Sequence, residues 1–570
     1  MLATLLIWTY ILFLAFIYGW ISLELFRRFF LIDTEIGKVA WPLIPLLGLC
    51  VLNTFAALLS LFVNLGWLAQ TLILLPAVVL GRRLWRDQVR PAFNKLSLPV
   101  WTIVALFVLL FLTILESNTH PPVNPDTGIY HAQAIRWMET YPAVPGLGNL
   151  HSRLAYNSNW LVIHALFSFV FVGLRSFHVL HGIFLLLVLV YFLGGAQKLL
   201  QKEIGLAAIF KTLCIPIVFY TIGAQISSPG TDFPTTIWVW LILALWLEIL
   251  QTKSALKRDS IYLEEVILFT FSVYILTIKL SALPVLFVSL YILIKHIRQP
   301  RRIAIRLMLL GVIILTPWLA RNFILSGYWI YPLSALAPLS PEVDWKIPLF
   351  KVVEEQRGIL AWARIPGADA DTVLAMPLHK WLEEWFLNRT RNQQFLILGA
   401  ALSPFFYALF YKLSNSKKWL LPEYSLIYAT AYIGLLFWLF SAPDIRFGYG
   451  FIIGVIFLVI LPPASRLLEN TRFSKFLISI LIFTIIIYQA VVFYQSIEFR
   501  TLGKRILLPE DYPTLSTHPC EIYNYTLYCA DYYNECWYDP FPCIPPCEAD
   551  MHVELRGDTL QSGFRFIQNP

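Results

Sequence analysis

Asp126, Tyr130 and His131 share the stretch N-P-D-T-G-I-Y-H, and Asp232 stands in S-S-P-G-T-D-F-P. Lys279 lies in T-I-K-L-S-A-L-P, Arg321 in P-W-L-A-R-N, and Arg446 with Asp444 in A-P-D-I-R-F. Two carboxylates with two or three cations suit chemistry on a phosphate-bearing lipid. One acid takes the proton of an acceptor hydroxyl while the cations stabilise a leaving phosphate. Asp126, Asp232 and His131 are the candidates for proton transfer and positioning. Lys279, Arg321, Arg446 and Tyr130 are the candidates for holding substrate and its phosphate. Each has a plainer reading. Asp126 and Asp232 could be helix N-caps, Lys279 could snorkel to the membrane interface, and His131 could be packing. Arg321 could hold a lipid headgroup, and Asp444 with Arg446 could form a local ion pair. Their shared position at the ends of apolar runs is what favours a site, because charge in a membrane is costly and usually functional.

The elements that must position them begin with residues 116–160. A long apolar run ends at Leu115, and Pro121, Pro122 and Pro125 set an extended backbone before Asp126. A helix is expected from Thr127, with an apolar side drawn from Tyr130, Ala134, Trp137 and Met138. That arrangement holds a carboxylate at the mouth of a bundle. The chain as a whole is 58% hydrophobic and only 14% charged over 570 residues, against about 25% charged in ordinary globular chains. Apolar runs near the ~20 residues needed to cross a bilayer recur along its length. The class is therefore an all-α polytopic, multi-pass integral membrane protein. The net charge of +8 reads as loop bias toward the cytoplasmic face, not as a nucleic-acid footprint.

The positive-inside rule orders the runs. Leu2–Phe26 is followed by Arg27, Arg28 and Lys38, so its N-terminal end lies outside. Trp41–Phe62 and Leu65–Gly81 return the chain to Arg82, Arg83, Arg86, Arg90 and Lys95. Leu98–Leu115 then runs outward and puts the Asp126 loop on the outer face. As a helix Trp160–Leu174 would reach roughly 22 Å, short of a ~30 Å hydrocarbon core. Taken as an interfacial or re-entrant helix, it keeps Asp126 and Asp232 on one side of the membrane. The later runs, from Phe177–Ala196 to Phe476–Tyr494, bring the expectation to about 14 spans with both termini outside.

Four regions follow. Residues 1–97 form an N-terminal three-span extension, and residues 98–465 form a membrane core with outer loops 116–176 and 321–392. Residues 466–495 make the last span, and residues 496–570 a Cys-rich outer tail. That tail holds Cys520, Cys529, Cys536, Cys543 and Cys547 of the chain's seven cysteines. Such clustering favours disulfides in an oxidising compartment. No His is spaced to make them a metal knuckle. Cys50 and Cys214 sit in spans as small apolar residues.

At these residues the chain resembles the GT-C superfamily, the polytopic glycosyltransferases that use polyprenyl-phosphate-linked sugars, including protein mannosyltransferases and lipid A aminoarabinose transferases. The similarity lies in Asp126 in the first large outer loop, the interfacial helix Trp160–Leu174, and Asp232 opening a span. It extends to Pro317-Trp318-Leu319-Ala320-Arg321-Asn322 with Ser326-Gly327 and Tyr331-Pro332, and to Arg446-Phe447. The resemblance covers about residues 98–465 and implies a GT-C-like core. It also implies inverting transfer of a sugar from a polyprenyl-phosphate donor to a glycan, lipid or protein acceptor of the cell envelope. A bacterial inner membrane, with the site facing the periplasm or exterior, fits this expectation. Many members carry D-x-D or E-x-D where this chain has Asn124-Pro125-Asp126, so a divalent metal, Mg or Mn, stays an open alternative. A transporter or flippase of lipid-linked glycans would need charges near the midplane and internal repeats. A non-catalytic assembly factor would need Asp126 to be only a cap.

Overall fold

The computed structural model describes residues 1–32, 36–88, 98–173, 175–253, 261–297, 301–413, 422–470, 474–497, 499–522, 525–531, 534–545 and 552–567. Arg90, Lys95, Leu174 and Cys547 lie outside the described residues. The chain is mostly helical, and among the described residues nine helices are long and apolar enough to cross a membrane. They include Leu2–Phe30, Leu180–Leu200, Asp232–Gln251, Arg301–Ser326 and Ile445–Glu469. Shorter apolar helices occupy Leu43–Leu59 and Leu206–Ile222.

Composition decides which helices are enclosed. The helix Asp232–Lys253 is apolar on every side, as a helix surrounded by other helices must be. Its apolar window is 89% buried, against 11% for Arg391–Phe410 at the periphery. Asp232–Lys253 packs against Leu206–Ile222, Leu263–Ile278 and Ile445–Asn470. It therefore carries Asp232 at its first residue into the centre of the bundle mouth. Pro234 falls in its first turn, where a missing N–H costs nothing.

The N-terminal pair is held by small residues. A Cβ at Gly19 would lie 1.8 Å from the Ile44 carbonyl oxygen, and one at Gly48 would lie 1.7 Å from that of Ala15. Helices Leu2–Phe30 and Leu43–Leu59 thus cross backbone to backbone, which only glycine at both positions allows.

Between the spans, two expectations change. The helix expected over Trp160–Leu174 is shorter, Asn159–Leu166, and all eight residues are buried. It packs against Leu43–Leu59, Leu263–Ile278 and Ala132–Thr140. Its mostly apolar sequence packs it among these helices, with Asn159 and His164 buried too. The tail is also not purely helical. Strands Thr517–Ile522 and Tyr525–Ala530 pair antiparallel, and Cys543–Ile544 joins the second in parallel. A second ribbon pairs Val553–Leu555 with Phe564–Phe566. Disulfides link Cys520 to Cys529 and Cys536 to Cys543. In Tyr525–Ala530 the buried Leu527 and Cys529 alternate with more exposed neighbours at the strand period.

Candidate functional site

Asp126 enters the site from a single π turn, Thr127–His131, that continues as the helix Ala132–Thr140. Its side chain does not cap that turn. Instead its Oδ2 lies 3.1 Å from Arg446 Nη1 and its Oδ1 3.7 Å from Arg153 Nη1. The reading of Asp126 as an N-cap alone therefore fails on geometry. The backbone ahead of the turn is fixed locally, because Asp126 N–H donates to Asn124 Oδ1 at 3.0 Å.

Arg446 is the hub. It is the second residue of the helix Ile445–Asn470, where Asp444 anchors it through Nη2 at 3.2 Å and through its own backbone N–H at 3.0 Å. The same guanidinium reaches Asp232 Oδ2 at 3.6 Å. Lys279 closes the far side by pairing with Asp232. The helix Leu263–Ile278 ends there because Lys279 adopts an extended backbone, φ −157° and ψ 133°. Its ammonium also lies 3.6 Å above the Phe447 ring. Lys279 thus points into the cluster and does not snorkel away.

Three carboxylates (Asp126, Asp232, Asp444) and three cations (Arg153, Lys279, Arg446) make one connected group whose formal charges cancel. Two helix N-termini, those of Asp232–Lys253 and Ile445–Asn470, bring their positive dipole ends to the same place. The side chain of Asp232 is 9% exposed and that of Asp126 26%, so the group runs from a closed floor to an open rim. Burial alone would raise the Asp126 carboxyl. The Arg446 guanidinium, with Arg153 and Lys279, outweighs it and holds the carboxyl below its ordinary value.

His131 lies next to the cluster and is buried, with Nδ1 3.2 Å from Thr127 Oγ1. Burial pushes its pKa down to about 4, so it is neutral at physiological pH. The Tyr130 ring stacks obliquely on His131 at 4.2 Å and meets Tyr156 edge-on at 5.5 Å. Burial, then the nearby Asp126 and Asp232 charges, raise the Tyr130 hydroxyl well above its usual range. Tyr156 in turn hydrogen-bonds Glu355, which also accepts from Ser152 Oγ at 2.6 Å. Glu355 belongs to the helix Leu349–Arg364, so the stretch between the helices Arg301–Ser326 and Arg391–Leu413 reaches the aromatic row.

Arg321 is not part of this group. It is buried and donates from Nη1 to Ser60 Oγ at 2.9 Å, at the end of the helix Leu43–Leu59. Its neighbour Trp318 and Asn157 bond reciprocally, side chain to carbonyl, at 2.8 and 2.9 Å. The P-W-x-x-R-N segment thus ties the helix Arg301–Ser326 to Leu43–Leu59 and to the stretch that carries Asp126. Two members of the group were not singled out by sequence as its partners. Arg153 sits in H-S-R-L-A-Y inside the same polar stretch as Asp126, which is the signal that could have found it. Asp444 reads from sequence only as a partner of Arg446.

Among the described residues no three His, Cys, Asp or Glu side chains gather as a metal site. The carboxylates that would have to supply oxygen ligands face Arg446 and Lys279, so this donor set fits an anion better than a divalent cation.

The chain belongs to the family described as Domain of unknown function (DUF8201), which it matches over residues 1–453. That span includes every residue of the charged group. No curated protein and no solved structure matches the chain.

Proposed function

We propose that this chain is an inverting membrane glycosyltransferase that moves a sugar from a polyprenyl-phosphate donor to a cell-envelope acceptor on the outer face. The observation that carries the reading is the single guanidinium of Arg446 shared by Asp126, Asp232 and Asp444. With Lys279 and Arg153 beside it, this is an anion site already filled by the protein's own carboxylates. A GT-C-like core, about 14 spans with both termini outside, and a bacterial inner membrane complete the reading.

Chemistry then follows from competition. An arriving lipid phosphate takes Arg446 and Lys279 from the carboxylates, a charge-assisted exchange of one oxyanion for another. Deprived of its cations, Asp126 regains basicity and can accept the proton of an acceptor hydroxyl. The hydroxyl oxygen attacks the anomeric carbon from the side opposite the phosphate. The bond from that carbon to the phosphate oxygen breaks, its electron pair leaves with the phosphate, and Arg446 and Lys279 stabilise the charge. Asp232, on the floor, orients hydroxyls of the donor or acceptor. His131, buried and neutral beside the cluster, is the alternative base.

The test is direct. Purified protein, given a radiolabelled polyprenyl-phosphate sugar and an envelope acceptor fraction, should release free polyprenyl phosphate. Asp126→Asn should lower that release by a factor of 100 or more, on the order expected for loss of a general base. Lipid crossing the membrane with no release would mean a flippase. Neither release nor crossing would mean an assembly factor.

A further inference from the structure

The tail, which lies beyond the family match, clasps the element that carries Asp126. Cys536 and Trp537 both donate their backbone N–H to the Gly128 carbonyl, at 2.8 and 2.9 Å. Gly128 is two residues from Asp126, and a Cβ there would meet Trp537 Cε2 at 2.8 Å. One turn further, the buried Gln133 fills the middle of the loop that the Cys536–Cys543 disulfide closes. Its Nε2 reaches the carbonyls of Trp537, Tyr538 and Pro540 at 3.0, 3.2 and 2.9 Å. Its Oε1 accepts from Cys543 N–H at 3.0 Å. The amide has two donors and one acceptor, and all are used by this one loop. Arg136 adds a bond to the Tyr538 carbonyl at 2.7 Å and a cation–π contact with its ring at 4.7 Å. Tyr538 donates its hydroxyl to Glu139 Oε2 at 2.7 Å.

These contacts fall on successive turns of one element, from Gly128 to Glu139, and that element delivers Asp126 to Arg446. The Cys536–Cys543 bond, with a sequence separation of seven, joins the two ends of the loop whose four main-chain groups face Gln133. We infer that loop 536–543, closed by its disulfide, is a positioning element for Asp126, so that the site is complete only after the tail has been oxidised on the outer side of the membrane. The inference rests on Asp126 belonging to the site. Its test reads the placement of Asp126 and not turnover, so its failure and that of the proposed activity are distinguishable.

The experiment uses the full chain in lipid nanodiscs in a Cys547→Ser background, which prevents thiol exchange. Three states are compared: oxidised, Cys536→Ser with Cys543→Ser, and Gln133→Leu with the disulfide intact. Hydrogen–deuterium exchange of peptides covering 127–140 should speed up about tenfold in both variants. Peptides from the enclosed helix Asp232–Lys253 should not change. Modification of Asp126 by a water-soluble carbodiimide, followed by mass spectrometry across pH, should shift toward the profile of an ordinary carboxyl as its hold on Arg446 loosens. A loop that only added stability would leave that profile in place. Should the serine pair fail to fold, phosphine reduction of the folded protein carrying Cys520→Ser and Cys529→Ser, which leaves only the 536–543 bond to break, gives the same comparison. Exchange and the Asp126 profile equal to the oxidised protein, with both thiols verified free, would overturn the inference. So would acceleration of the Asp232–Lys253 peptides in step with 127–140.

Discussion

At the residue scale the site is a balance of partly buried charges, and its members differ in what water can reach. Removing one partner from such a group leaves the others uncompensated, which typically costs about 3 kcal/mol or more, so loss of Arg446 should cost stability as well as any binding. Titration separates the neighbours. His131 has an ordinary pKa of 6.5 and a folded one of about 4, so between those values the unfolded chain binds a proton the folded chain refuses. Acidification through that window therefore destabilises the fold by up to about 3 kcal/mol from this group. Thermal melts in detergent from pH 7 to pH 4 should show it, and His131→Asn should flatten that part of the profile. Asp126 acts lower. Its depressed carboxyl contributes stability above the ordinary carboxylate range that is lost as pH falls through its folded value. Sequence named Asp126, Asp232, Lys279 and Arg446 from residue type and place. It did not find Arg153, because an arginine 27 positions along a polar loop gives no spacing to argue from.

At the element scale the site depends on where helices begin and end. Asp232 and Arg446 stand at first turns, Lys279 at a break, and Asp126 at a π turn, so each charge sits at a helix terminus where backbone groups also need partners. Hydropathy made most of these boundaries legible, since a polar residue interrupts an apolar run at each. It overestimated the length of the helix in Trp160–Leu174, which ends at Leu166, and apolar residues on all sides left periodicity no information about which neighbours it packs against. The tail's strands were hidden for another reason: pairs such as Cys520 and Leu527 are set by cross-strand register and disulfides. Close helix approach gives a sharp check. Gly48→Val would force a Cβ to within 1.7 Å of the Ala15 carbonyl, so the pair Leu2–Phe30 and Leu43–Leu59 must separate. Loss of the monodisperse peak on size-exclusion chromatography is expected, whereas Gly194→Ala, which meets open space, should behave as wild type.

At the scale of the whole molecule, residues far apart in sequence converge at one end of the bundle. Arg446 and Asp126 are 320 positions apart and Arg446 and Asp232 over 200, yet both pairs touch. Their contact requires Asp126 and Asp232 to share a side. Single cysteines placed at Thr119 and Thr231, in a background without native cysteines, should both react with an impermeant thiol reagent added outside once the protein is opened by mild denaturation of its outer loops. Labelling of the first alone would separate the two aspartates. Whether the cluster is a phosphate site occupied by its own carboxylates is read most directly from binding of polyprenyl phosphate without sugar. Arg446→Gln should weaken binding at least tenfold, about 1.4 kcal/mol, whereas Asp126→Asn, which removes a competitor for the same guanidinium, should tighten it by a similar factor while losing transfer. Equal affinity of all three proteins, or weaker binding by Asp126→Asn, would contradict such a site.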